Sequence, residues 1–496
     1  MTKRSEVSRR DFVRAGVAAG AGITIAVYLT GCDKPDPNAP KAGKGPEGPF
    51  KANAWVEIAP SGLVTLAMDR SEMGQGVFTS LPMLLAEELD VDPASITLRQ
   101  ATPGKAYANA ALGGIQATGG SSSIKAAWKP LREAGAQARA MLVSAAAAKW
   151  GVKESACSTA AGSVVHADSN RKLSYGELVS EASKLKAPEK VSLKDPKDWK
   201  YIGKPFPRID LADKVVGTAG YGIDAKVPGL LVARVARCPV FGGKAVSHDA
   251  EAAKKVPGVK HVLAISSGIA VVADGYWQAG QGLKALNVQW DPGPNGKLNT
   301  ESIRAELKSH ASGAAIQARK EGAGNASQKG KQVTAEYEVP YLAHACMEPM
   351  NATASVEAGK CTVWAPTQYQ WGGGGGTLET AAKAAGVPES AVTVNTTLLG
   401  GGFGRRFMQD FVVEAVECSK GANAPVKVVW SREDDIQHDF YRPTAYTKAT
   451  ATLGADGMPV SWVARVVAPS INVSTAGASK DKLDGSTVEA WASHPY

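Results

Sequence analysis

Apolar and polar positions alternate early in the chain in a way that predicts a hairpin: Ala54-Trp55-Val56-Glu57-Ile58, a turn at Pro60-Ser61-Gly62, then a second strand to Met68. The spacing changes to a helical repeat over 80–89, with Pro82 near the first turn. Residues 122–150 read as a long alanine-rich helix stopped by Gly151. Ser174-Tyr175-Gly176-Glu177 reads as a capping box that opens a helix to about residue 185. The Lys- and Pro-rich stretch 186–206 reads as a linker. Strands are expected at 230–236 and 261–273, with a helix over 274–285 capped by Asp274. Residues 293–330 read as a helix followed by a Gly/Lys-rich loop. Strands then dominate, at 333–339, 352–356, 361–365, 392–399 and 426–430, with helices at 377–385 and about 410–420 between them. The pattern is α+β, or mixed α/β, over several domains.

Composition narrows the function. The chain has 496 residues, 44% hydrophobic and 21% charged, with a formal net charge of +9. The positive charge is spread without a dense basic block, so no nucleic-acid partner is expected. Six cysteines include no C-x-x-C pair, and seven histidines include no H-E-x-x-H, so no side-chain metal site is expected.

The first 31 residues read as an address rather than as fold. Ser8-Arg9-Arg10-Asp11-Phe12-Val13-Arg14 resembles a twin-arginine export signal. The apolar stretch 15–29 is too short for a membrane span. Leu29-Thr30-Gly31-Cys32 resembles a bacterial lipobox, which makes Cys32 the expected lipidation site and 32–53 a linker. The expectation is twin-arginine export and lipid anchoring on the periplasmic side of the inner membrane. That route carries folded proteins, often with complex cofactors inserted beforehand, so the remaining cysteines are expected as thiols.

Three loops could carry chemistry. In Glu72-Met73-Gly74-Gln75-Gly76, two glycines flank an amide and let backbone approach a ligand. Thr118-Gly119-Gly120-Ser121-Ser122-Ser123 opens the long helix, where N–H groups and hydroxyls suit an anion. Ser122-Ser123-Ile124-Lys125 also spells S-x-x-K, but no K-T-G accompanies it. Gly400-Gly401-Gly402-Phe403-Gly404-Arg405-Arg406 follows a strand, and Arg405 breaks the dinucleotide fingerprint. A bulky cofactor remains compatible. His344 could be a ligand, although a lone histidine in an apolar stretch is more often a satisfied core residue.

Together these segments resemble the xanthine dehydrogenase/aldehyde oxidase family of molybdenum hydroxylases. Their order is similar to the branch holding isoquinoline 1-oxidoreductase beta subunits and membrane-bound aldehyde dehydrogenases. Gly217 to Asp224 and Arg237-Cys238-Pro239-Val240-Phe241-Gly242-Gly243-Lys244 resemble that family's α/β hammerhead domain, at 207–295. Leu398 to Asp410 and Trp430-Ser431-Arg432-Glu433-Asp434-Asp435 resemble its molybdopterin domain, at 331–496, with a first molybdopterin-binding segment at 54–190. The resemblance implies a molybdenum–pterin cofactor, as molybdopterin or its cytosine dinucleotide form. It implies cofactor contacts from Gly74, Gln75, Gly76, Gly120, Ser121, Ser122, Ser123, Gly402, Phe403, Gly404 and Arg405, with no protein metal ligand.

The implied reaction hydroxylates an aldehyde or aromatic N-heterocycle with oxygen from water. Electrons would pass to a small [2Fe–2S] subunit, with a cytochrome c as a further acceptor. Arg442 falls at a substrate-pocket position, and Phe407 stands where purine hydroxylases carry a glutamate, which argues against purines. The family's general base, a Glu in Gly-x-Gly-Glu, does not occur in this chain, so the molybdopterin domain reads as incomplete. Neither Glu348 nor Glu414 is promoted to that role. The competing reading is a non-catalytic exported lipoprotein of the same fold that serves as an assembly or binding partner.

Overall fold

A computed structural model describes residues 49–322, 329–476 and 482–484. The twin-arginine and lipobox segments, Cys32 included, lie outside the described residues. Among the described residues no helix is long and apolar enough to cross a membrane.

The first half is built on a four-stranded sheet, in order Phe50–Lys51, Val56–Ile58, Val64–Met68 and Thr97–Gln100. Phe50, assigned by sequence to the tether, is buried in its edge strand. Helices α1 (Val77–Leu89) and α2 (Ser123–Trp150) pack against the sheet. Ile58, Leu66, Leu81, Leu85, Leu131 and Leu142 fill this core, each side chain worth about 1.5–3 kcal/mol on burial. The alanine-rich sequence of α2 lets the two helices come close. A Cβ on Gly135 would stand 2.7 Å from the Leu85 carbonyl and 3.1 Å from the Glu88 Cβ.

A seven-stranded sheet dominates the second half. Its order is Val259–Ile265, Gly268–Ala273, Leu231–Ala236, Val426–Val429, Asn351–Glu357, Lys360–Ala365, Val392–Thr396. Strands from 207–295 and from 331–496 therefore share one sheet, joined by the parallel pair Val426–Val429 and Leu231–Ala236. Helix α3 (Asp410–Ala422) covers it with Phe411, Ala415, Val416 and Cys418. One short ladder links the halves: Gln116–Ala117 pairs with Tyr369–Trp371.

The α+β expectation holds, with local corrections. The expected strand over 261–273 is a hairpin, Val259–Ile265 and Gly268–Ala273. Gly275, not Asp274, caps the helix Tyr276–Ala285, because Asp274 turns to Lys260 at 3.1 Å. The strand at 392–399 stops at Thr396. Three-stranded sheets over 157–174 and over 331–339 with 445–467 contain strands the pattern missed.

The stretch 186–206 is not a free linker. The Glu87 carboxylate, fully buried on α1, accepts the N–H groups of Lys200, Tyr201 and Ile202 at 2.7–3.1 Å. Glu88 accepts the Lys194 N–H at 3.0 Å and Arg132 Nε at 2.9 Å. Buried carboxylates persist only when paired and hydrogen-bonded, and here the strap backbone supplies much of that.

Gly135→Ala adds a methyl at a backbone contact that cannot give way, which costs about 1–3 kcal/mol and regains about 1 kcal/mol of helix propensity. The expected outcome is a net loss of stability in denaturant titration; an unchanged midpoint would show that α1 and α2 can separate freely.

Candidate functional site

The first loop is organised by one carboxylate. Glu72 Oε1 accepts the N–H groups of Gly74 (2.8 Å) and Gly76 (3.1 Å), and Oε2 accepts that of Phe78 (2.9 Å). It thereby serves orphan donors at the N-terminus of α1, where negative charge is favoured. Gly74 and Gly76 have φ of 106° and 93°, and a Cβ on either would meet nothing within 4 Å. Glycine is needed there for conformation, not for space. The Gln75 amide folds into its own loop: Oε1 accepts the Met73 N–H at 2.8 Å and Nε2 donates to the Ser71 carbonyl at 2.9 Å.

Arg208, just beyond the strap, closes this loop from outside. Nη1 donates to the Gly74 carbonyl (2.9 Å), and Nη2 to Glu72 Oε1 (3.1 Å) and Asp210 (2.8 Å). Burial pushes the Asp210 carboxyl up, but hydrogen bonds from Arg208 and Lys214 outweigh it and bring it from 3.8 to about 2.

The second loop turns into α2 through Gly120 (φ 56°) and Ser121 (φ 50°). No hydrogen-bond acceptor is found for the N–H groups of Gly120, Ser121, Ser123 and Ile124 among the described residues. Free donors at the start of a long helix form an anion-binding surface.

The third loop carries Phe403 at φ 55° and Gly404 at φ 108°. A non-glycine residue in that region costs about 1–2 kcal/mol, and Phe403 is nonetheless 61% exposed. Gly402 serves space instead of conformation: a Cβ there would lie 2.5 Å from Gln368 Oε1 and 2.7 Å from Met73 Sδ.

Four buried polar residues stitch the loops together. Thr118 Oγ1 accepts the Ser71 N–H at 2.8 Å, and Ser71 Oγ donates to the Thr367 carbonyl at 2.7 Å. Gln368 Nε2 donates to the Thr118 carbonyl at 2.9 Å, and its Oε1 accepts the Gly404 N–H at 3.1 Å. The loops line an open cavity of about 1100 Å³, whose lining includes Gly74, Gln75, Gly120, Ser121, Phe403 and Gly404. Gly402 and Ser123 line it as well, with Leu112, Ile124, Phe407 and Met408 as apolar wall.

Four expected site residues are placed elsewhere. Ser122 is buried, its hydroxyl donating to the Gly119 carbonyl (2.8 Å) and accepting from Asn109 (2.9 Å), because a serine at a helix start satisfies its own turn first. Arg405 is 1% exposed, bidentate to Asp410 at 2.8 Å and paired with Asp439 at 2.9 Å, so it is a structural charge facing away from the cavity. Arg442 is exposed outside the lining, its backbone paired with Leu342. Gly76 lies behind the lining at the start of α1.

His344 is satisfied within the fold: Nδ1 is 2.9 Å from Asp439. Burial pushes the Asp439 carboxyl up, but His344 hydrogen bonds and the Arg405 charge hold it below its usual range. Glu348 accepts the N–H groups of Ile223 and Gly400 and pairs with Arg406. Glu414 is bound by Arg237 and Trp430. Both are structural.

Sequence reasoning missed Ser71, Thr118, Thr367, Gln368 and Arg208. The available hint was Gln368 and Gln370, two amides flanking Tyr369 in an otherwise apolar strand region.

The donor set suits a large anionic cofactor held through backbone. Among the described residues no group of three His, Cys, Asp or Glu side chains could hold a metal ion. Burial raises the thiols of Cys346, Cys361 and Cys418, so none is poised as a thiolate. A metal here would have to arrive already ligated. The cavity, the free N–H groups and the glycine surfaces fit a pterin that brings its own metal.

The fold and site thus define a molybdopterin-binding protein. Two family models, each described as a molybdopterin cofactor-binding domain, match residues 2–223 and 309–480. The chain is 31% identical over 479 residues to isoquinoline 1-oxidoreductase subunit beta of Brevundimonas diminuta, covering 84% of this chain and 60% of that one. It is 32% identical over 464 residues to a membrane-bound aldehyde dehydrogenase (pyrroloquinoline-quinone) of Gluconacetobacter polyoxogenes, covering 89% and 57%. Among solved structures, the aldehyde oxidoreductase from Desulfovibrio desulfuricans ATCC 27774 overlaps 59% of this chain and 38% of its own, with TM-score 0.43 and 16% identity. The chain belongs to the molybdenum hydroxylase family, and it spans about three fifths of the length of the first two relatives.

Two measurements check this site. A depressed carboxyl such as Asp210 contributes stability that is complete above its unfolded value and disappears as pH falls through its folded one. Thermal stability of Asp210→Asn is therefore expected to depend less on pH than that of the parent between 3.8 and about 2. Gln368→Leu strands the buried Thr118 carbonyl and removes the bond to the Gly404 N–H, and a loss of about 1–3 kcal/mol is expected in denaturant titration.

Proposed function

We propose that this chain forms the molybdopterin-binding part of an exported oxidoreductase that hydroxylates an aldehyde or aromatic N-heterocycle with oxygen from water. The observation that carries the reading is the convergence of three backbone-lined loops on one cavity with free N–H donors at one end.

In this reading Gly120, Ser121 and Ser123 take the phosphate end of the cofactor at the start of α2, by main-chain donors and the helix dipole. The Gly74–Gln75 and Phe403–Gly404 backbones flank its other parts. When bound, the molybdenum–pterin group supplies the two-electron redox chemistry. Phe407, packed on Tyr369 with ring centroids 4.5 Å apart, presents an apolar face. That face favours an aldehyde or a weakly polar heterocycle over a purine, whose many polar edges would lose hydrogen bonds there.

No carboxylate is among the described lining residues. Glu348 and Glu414 are committed elsewhere, so the proton acceptor the reaction needs is assigned to a part of the enzyme beyond these loops. Residues 207–295 serve as the hammerhead domain. Electrons leave through a small [2Fe–2S] subunit or a cytochrome. The amino-terminal motifs support twin-arginine export with a lipid on Cys32.

The test is quantification of molybdenum and pterin in the mature enzyme purified from its own cell envelope, with activity on a panel of aldehydes and N-heterocycles. Stoichiometric molybdenum and pterin are expected, with the protein in the membrane fraction. A mature enzyme holding neither, or holding only a quinone, overturns the reading.

A further inference from the structure

The Gly74–Gln75 peptide is gripped on one side. Arg208 Nη1 holds the Gly74 carbonyl at 2.9 Å, and the same guanidinium is braced by Glu72 and bidentately by Asp210. Arg208 is anchored in turn, since the neighbouring Ile209 N–H donates to Thr79 Oγ1 on α1 at 3.1 Å. The described peptides are all trans, so the C=O of Gly74 and the N–H of Gln75 lie in one plane and point in opposite directions. A carbonyl drawn out to Arg208 turns the Gln75 N–H the other way. That N–H has no acceptor among the described residues, and both Gly74 and Gln75 line the cavity. The Gln75 side chain is engaged at both ends within its own loop.

The geometry points to a division of labour: Arg208 is a positioning residue that fixes the Gly74–Gln75 peptide, and the main-chain N–H of Gln75, not its side-chain amide, is the donor this loop offers the bound pterin. The inference rests on the reading above for the identity of the ligand. The flanking glycines make the grip necessary. Peptides beside glycine rotate at little cost, and without Arg208 the plane is free to turn its carbonyl toward an anionic ligand. Lysine cannot replace the guanidinium in full, because one ammonium cannot serve Gly74, Glu72 and Asp210 in the planar fork that arginine provides.

The test compares hydrogen–deuterium exchange of the segment around Gln75 in the parent enzyme before and after its pterin is stripped, with molybdenum and pterin contents for Arg208→Gln and Arg208→Lys. Expected are slow exchange of the Gln75 amide in loaded enzyme and fast exchange in stripped enzyme. A fall in bound pterin of roughly tenfold is expected for Arg208→Gln, as for other residues that orient direct ligands, with partial recovery in Arg208→Lys. Equal exchange in loaded and stripped parent enzyme overturns the inference even if Arg208→Gln does not fold, and so does full pterin content in Arg208→Gln. Parent enzyme that never held pterin refutes the functional reading instead, so the two failures are distinct.

Discussion

Everything at the site depends on a small buried network of hydrogen bonds among Ser71, Thr118, Thr367 and Gln368. Each group in it is desolvated, so each must be paired or cost about 1–3 kcal/mol. The network is therefore nearly all-or-none. With all bonds made, three loops meet at fixed distances. With one partner gone, a donor and an acceptor are stranded together. Gln368 is central because its two amide ends face different loops, which no apolar residue of that size can imitate.

Glycine plays two separate parts around this network. Gly74, Gly76 and Gly404 supply backbone angles that other residues enter at a cost, whereas Gly402 supplies room for Gln368 and Met73. Ser121 and Phe403 hold similar angles without being glycine, so their strain is carried by the surrounding structure. The side chains near the loops are mostly occupied with one another: Glu72 with three N–H groups, Arg405 with two aspartates, Glu348 with Arg406. What remains open to a ligand is mainly backbone.

The local patterns were legible in sequence. The helix over 377–385 is found as expected, α2 begins one residue later than expected, and the three glycine- and serine-rich loops could be picked out because their composition is itself local. Their stitching could not be seen, because Gln368 and Thr118 lie 250 residues apart and no period records such a pair. Ser122 and Arg405 stand outside the cavity lining for a related reason. A motif shows which residues stand together along the chain, not which of them turns inward, and both found stronger partners in the interior. The strand over 445–453 was missed because it is built of Ala and Thr, whose weak contrast hides the alternation.

The ladder between Gln116–Ala117 and Tyr369–Trp371 has a kinetic consequence. Contacts between segments so far apart along the chain are slow to form, because the intervening loop must close before they repay its entropy. The cavity therefore cannot exist on a nascent chain that has emerged only as far as α2, however well its first core has set. Cofactor capture is placed at the end of folding, and the wait for the distal strands becomes a checkpoint that a half-made polypeptide fails.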